Sequence, residues 1–268
     1  MLRALLAAIA LLAALPVRAQ PVEVDVELVL MVDVSRSMTP RELEIQRRGY
    51  AEALTSGPVI QAIRGGLLQR IAVTYVEWAG STAQRPVVTW RLLRGEEDAR
   101  AFADILTTDF NAALRRTSIS GALLAGAEMI ETNGYKGLRR VIDISGDGPN
   151  NEGGPVEPAR DSVLSRGIVI NGLPLMTREG MGARWHLDDL DLYYEHCVIG
   201  GPGAFVIPVT TWDGFAEAVR RKLVLEIAGT RPPPRIVPAQ HTGVTPEGYD
   251  CSIGETMWRD DRFNRFTP

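Results

Sequence analysis

Three oxygen-bearing side chains stand at alternate positions in the segment VDVELVLMVDVSRS: Asp33, Ser35 and Ser37. One carboxylate and two hydroxyls are hard oxygen donors, the kind that suit Mg2+, Ca2+ or Mn2+. The same residue types also suit a solvated turn, because Asp and Ser side chains bond readily to nearby backbone N–H groups. On this fragment alone the turn outweighs the metal site, although the position is one where a site is expected. Val29, Leu30, Met31 and Val32 run without a polar break just before Asp33, as a strand does when both faces of a parallel sheet are covered. Just after Ser37, Thr39-Pro40-Arg41-Glu42 has a hydroxyl at the cap, Pro at the first helical position and Glu three residues past the cap, a capping-box start for a helix. The unit is strand, polar loop, helix, and open α/β sheets bind ligands at the carboxyl ends of their strands.

Two further loops carry oxygen donors. Thr117 opens the segment TSISGALL, which runs into a helix that stops at Asn133-Gly134, and Asp147 lies in GDGPNN at the end of an apolar strand over 138–145. The remaining elements follow by periodicity. A helix runs from 40 past 54, and Gly57-Pro58 and Gly65-Gly66 break the stretch after it. Strands at 70–79 and 86–93 are too close for a parallel crossover and pair as a hairpin. A helix is predicted over 96–106, then helices at 158–166, 187–194 and 212–227 alternating with strands at 168–176 and 204–209. This alternation predicts a doubly wound α/β fold: a mostly parallel six-stranded sheet, one antiparallel edge strand, and helices on both faces.

At these residues the chain resembles the von Willebrand factor A domain, over residues 27–228, and more narrowly a group of uncharacterised secreted bacterial proteins with that fold, suggested by YYEHCVIGGPGAFV at 193–206. The resemblance implies strand order 3-2-1-4-5-6. It also implies a metal-ion-dependent adhesion site formed by Asp33, Ser35, Ser37, Thr117 and Asp147, holding Mg2+ or alternatively Ca2+ or Mn2+. Such a site bridges through the metal to an Asp or Glu carboxylate of a partner protein. Two carboxylates neutralise a divalent ion, and hydroxyls coordinate it without adding charge, so the ion can take one more anionic oxygen. Asp143, two residues before the strand end, reads as a buried structural acid or a group supporting the site.

Residues 1–19 have a charged start at Arg3, an apolar run over 5–15 and the small-residue ending Val17-Arg18-Ala19, the pattern of a cleaved secretory signal peptide; a retained anchor is the alternative. Removing 19 of 268 residues, with Arg3 and Arg18, leaves 249 residues with 27 basic and 33 acidic side chains, a net charge near −6. That balance excludes non-specific binding of nucleic acid or anionic lipid. Residues 20–229 are long enough for one domain, and 230–268, beginning Thr230-Arg231-Pro232-Pro233-Pro234, read as a Pro-rich tail packed on it without sustained periodicity. An exported chain with two cysteines, Cys197 and Cys251, suggests one disulfide tying the tail to the domain, or else two free thiols.

Enzymatic patterns are weak. Position 35 is Ser where a D-x-D phosphatase needs Asp, and Asp143-Ile144-Ser145-Gly146-Asp147 lacks the first Gly of a G-x-S-x-G elbow. His196 lies beside Cys197, but His186 and His241 form no second pair at zinc-ligand spacing. Trp78, Trp90 and Trp185 read as core or as a ligand surface. The expectation is an exported, non-enzymatic interaction domain, with a metal-dependent hydrolase and a metal-free scaffold as the alternatives.

Overall fold

The computed structural model describes residues 20–108, 114–177, 187–230 and 248–266, with side chains to Arg259 in the last segment. Residues 1–19, read above as a signal peptide, and Trp185, His186 and His241 lie outside the described residues. The run that opens the chain forms the central strand, β1 (Val22–Asp33). It pairs in parallel with β2 (Ile71–Trp78) on one side and β4 (Tyr135–Gly146) on the other. β3 (Gln84–Leu93) pairs antiparallel with β2 at one edge, and β5 (Val169–Pro174) pairs in parallel with β4. The sheet has five strands in the order β3-β2-β1-β4-β5. Val29 to Val32 are fully buried on both faces, which is why that stretch shows no alternation.

Helices cover both faces. On one side α1 (Pro40–Thr55), α2 (Gly57–Arg64), α3 (Glu96–Leu106) and α7 (Phe215–Ala228) enclose Leu28, Leu30, Tyr50, Phe102, Phe215 and Leu223. On the other, α4 (Ile119–Glu131), α5 (Val156–Ser165) and α6 (Leu190–Tyr193) enclose Val29, Met31, Leu123, Ile142, Ile144 and Tyr194. Within the whole described chain no helix is long and apolar enough to cross a membrane.

Three expectations change. The sixth strand, expected at 204–209, runs beside β5 only through isolated parallel bridges, Gly172 to Val206 and Leu175 to Val209. Gly172 N–H donates to Phe205 O at 3.0 Å, Ile207 N–H to Gly172 O at 3.0 Å, and Val209 N–H to Pro174 O at 2.9 Å. The residue that should donate next across this ladder is Pro174, which has no N–H, so the pairing never becomes continuous. The stretch after Ser56, read as broken by Gly57-Pro58, forms α2 because Pro58 sits in its first turn, where a missing N–H costs nothing. Finally, the tail contains a helix, α8 (Ile253–Phe266). Its apolar residues are few, so its ordering comes from the surface it rests on rather than from its own pattern.

Candidate functional site

β1 and β4 lie side by side where the sheet order reverses, and the loops leaving their carboxyl ends meet. Asp33 is fully buried, and its Oδ1 accepts from Ser35 N–H at 2.7 Å. Ser35 and Ser37 share a hydroxyl hydrogen bond of 2.8 Å, and Ser37 donates onward to Asp147 Oδ1 at 2.8 Å. One chain of oxygens therefore links the β1 loop to the β4 loop. The first loop is held from behind by α1: Gln46 Nε2 donates to Asp33 O at 3.1 Å. At the start of that helix, Thr39 N–H donates to Glu42 Oε2 at 2.6 Å and Glu42 N–H to Thr39 Oγ1 at 3.3 Å, completing the capping box.

Thr117 joins from the third loop. Its N–H donates to Asn151 Oδ1 at 3.1 Å and its carbonyl accepts from Asn151 N–H at 2.9 Å. Asn150 ties the same region from below: its Oδ1 accepts from Ser120 N–H at 3.1 Å, its N–H donates to the Tyr193 hydroxyl at 3.1 Å, and its Nδ2 donates to Glu255 Oε1 at 2.7 Å. All five predicted residues are thus gathered at one end of the sheet. Ser35, Ser37, Thr117 and Asp147 line an open cavity of about 560 Å3, and Asp33 lies behind them.

Arg36, Arg115 and Arg116 form part of the cavity rim, and Gly254, Met257 and Trp258 of α8 form another wall. The Arg116 guanidinium lies 4.8 Å from the Trp258 ring centroid. A disulfide joins Cys197 to Cys251, with Cα atoms 5.5 Å apart, just ahead of α8. That wall was invisible to periodicity, as were the roles of Asn150 and Asn151. Their signal was only the polar run after Asp147.

Burial dominates the electrostatics. It raises the Asp33 pKa well above the usual carboxylate value, with the Asp147 charge adding to the effect. Asp147, partly buried, is pushed up to about 6 by desolvation, opposed by the Ser37 hydroxyl and reinforced by Glu42. The Tyr194 phenol, beneath Asp33, is also raised by burial and then by the Asp33 charge. Among the described residues no Lys or Arg forms an ion pair with Asp33 or Asp147. Asp33 Oδ2 is buried with no hydrogen-bond partner among the described residues. Two acids with hydroxyls and no protein cation fit a hard divalent ion. Among the described residues no three His, Cys, Asp or Glu side chains are grouped so as to hold a metal ion, so the donor set here is oxygen, mostly uncharged.

The other candidates are placed elsewhere. Asp143 faces α7 and ion-pairs with Lys222, 2.8 Å from Oδ1, in the opposite core from Asp33. His196 stacks on Tyr249, ring centroids 5.5 Å apart, and Trp78 is fully buried. Trp90 packs against Tyr135 at 6.1 Å.

This is the fold of a von Willebrand factor A domain. The pilus adhesin SpaC from Lactobacillus rhamnosus GG, in its open conformation, superposes with a TM-score of 0.54 at 14% identity over 78% of this chain and 30% of its own. Proximal thread matrix protein 1 from the mussel byssus, in a structure with a zinc-occupied MIDAS motif, gives 0.52 at 13% identity over 78% of this chain and 49% of its own. The von Willebrand factor type A protein from Catenulispora acidiphila gives 0.51 at 14% identity, covering 76% and 43%. This chain therefore spans less than half the length of each of these proteins. The chain belongs to the family described as Protein of unknown function (DUF1194), whose model matches residues 23–231. No curated protein matches it.

Proposed function

We propose that this protein is an exported, non-enzymatic interaction domain that binds a divalent cation through Asp33, Ser35, Ser37, Thr117 and Asp147, and through it an acidic side chain of a partner protein. One observation carries the reading: two carboxylates, linked through the Ser35 and Ser37 side of the β1 loop, sit at the carboxyl end of the sheet with no ion pair to a Lys or Arg among the described residues. Mg2+ is the expected ion, with Ca2+ or Mn2+ as the alternatives. When bound, a divalent cation would supply a positive centre that attracts one more anionic oxygen. The chain's own residues hold and orient the acids, and the arginine rim favours an acidic approach. The zinc-occupied site of the mussel matrix protein and the adhesin fold of SpaC lend support by likeness of fold. Export follows from the pattern at 1–19, and residues 20–229 form the domain, with 230–268 as its packed tail.

Thermal unfolding in chelator and then in Mg2+, Ca2+ or Mn2+ tests this. A cation at 100 times its Kd stabilises the native protein by about 2.7 kcal/mol, and Asp33→Ala and Asp147→Ala remove the response. No response in the native protein leaves only the scaffold reading. For the partner, capture of exported proteins on the native chain must be lost both with chelator and in Asp147→Ala; capture that survives both excludes a metal bridge.

A further inference from the structure

Two buried oxygens beneath the cavity have no protein hydrogen-bond partner among the described residues: Asp33 Oδ2 and the Tyr194 hydroxyl. Both side chains belong to fully buried residues. They flank the same point. A Cβ built on Gly146 would lie 2.8 Å from Tyr194 Oη and 3.0 Å from Asp33 Oδ2. Any side chain at 146 would crowd both the phenol and the carboxylate, so glycine is what lets the two oxygens come together around this point.

A second glycine clears the way for the ring. A Cβ on Gly172 would lie 2.7 Å from Tyr194 Cδ1. Gly172 of β5 is opposite Ile144, and Gly146 of β4 is opposite Pro174, so both glycines present the same face of adjacent strands to one tyrosine. The backbone is fixed as well. Tyr194 begins a π-helical turn, Tyr194–Val198, closed by Ile199 N–H donating to Tyr194 O at 2.9 Å, and the turn holds the disulfide-bonded Cys197. Single π turns are frequent at functional sites. A residue serving only to fill this space would need the ring alone, whereas here a hydroxyl is buried on the Asp33 side of the ring.

We infer that Tyr194 is a positioning residue for the candidate metal site, its hydroxyl donating to Asp33 Oδ2 through one bridging water. This rests on the metal reading above and adds to it a group outside the five expected ligands. A buried water bridging two such oxygens satisfies both, and groups that hold a metal-ligating carboxylate from behind set its orientation and the affinity of the site.

The test compares the wild-type protein, Tyr194→Phe and Tyr50→Phe. Tyr50 is a control on the opposite sheet face, also buried with an unpartnered hydroxyl. Calorimetric titration with Mg2+ and Mn2+ is expected to show affinity about 10- to 100-fold weaker in Tyr194→Phe and unchanged in Tyr50→Phe. The unfolding midpoint in chelator should be retained in Tyr194→Phe, since the ring remains. Wild-type affinity in Tyr194→Phe, or an equal loss in Tyr50→Phe, overturns the inference. A high-resolution crystal structure of the metal-free protein supplies a readout independent of binding. Density within hydrogen-bond distance of both oxygens supports the link, and a Tyr194 hydroxyl bonded elsewhere overturns it. If the wild-type protein binds neither ion, the metal reading fails on its own, and the crystal decides the hydroxyl link.

Discussion

Two pairs of carboxylates lie on opposite sides of the central sheet, and one member of each, Asp143 and Asp147, stand four residues apart along one strand and its loop. Asp143 and Glu226 share a cation of the protein itself. Lys222, fully buried, lies 2.8 Å from Asp143 Oδ1 and also ion-pairs with Glu226, while Asn171 Nδ2 donates to Glu226 Oε1 at 2.9 Å. Asp33 and Asp147 have the Ser35 backbone N–H and the Ser37 hydroxyl instead, and no ion pair among the described residues. In the first cluster Asn171 also accepts from Phe205 N–H at 3.1 Å, so it ties β5 both to α7 and to the stretch that holds Phe205. The second opens onto a cavity. A buried acid pair that carries its own lysine reads as architecture; one that carries only neutral donors leaves its charge to be balanced from outside.

The sharpest way to break this contrast is Lys222→Met. It leaves Asp143 and Glu226 buried without a cation, and removing one partner of a buried ion pair costs about 3–5 kcal/mol. Urea unfolding at pH 8 should show that loss. At pH 5 the loss should shrink because the acids take up protons, and adding Asp143→Asn and Glu226→Gln should restore most of it. A cost below about 1 kcal/mol at pH 8, outside the range for a broken buried pair, would mean that Lys222 is not what balances this pair.

The next effect is on pH dependence. Asp147 is raised from 3.8 to about 6, chiefly by burial, and Glu226 from 4.5 to about 7, by burial and then the Asp143 charge. The folded protein therefore holds these protons more tightly than the unfolded chain does. Its stability in chelator is greatest below the ordinary carboxylate values and falls as pH rises from about 4 to about 7. Saturating Mg2+ should remove the lower part of the slope, because the cation favours ionised Asp147. Glu226→Gln should remove the upper part and leave the Mg2+ response intact. If Mg2+ flattens the upper part instead, the two clusters are not separate.

The smallest effect comes from Asp33→Asn. Burial disfavours the ionised form of Asp33, so the neutral amide should leave the unfolding midpoint of the metal-free protein at or above that of the wild type. It should also abolish the cation response in the same melting experiment. Destabilisation in chelator would show that the ionised Asp33 is held by the protein itself.

Much of the site was legible because its parts are local. D-x-S-x-S ends an unbroken apolar run, and the capping box at Thr39 to Glu42 turns the chain into α1 directly afterwards. Pro174 could have warned that the sixth strand would be reduced to isolated bridges, since a ladder fails where its donor is a proline. Asp143 illustrates the opposite case. Its burial could be read from the strand, but its partner Lys222 lies on a helix near the far end of the chain, and no local pattern points there.

What the sequence alone determined is what short-range physics dictates: strand and helix periods, a cap, and oxygen donors at the ends of apolar runs. Only the tertiary structure decided which donors meet a protein cation and which do not. It also decided that glycines on β4 and β5 make room for Tyr194 under Asp33, and that α8, joined by the Cys197 to Cys251 disulfide, walls the cavity. Those outcomes depend on which side chains from distant segments share one volume, and burial there sets the energy of every charge.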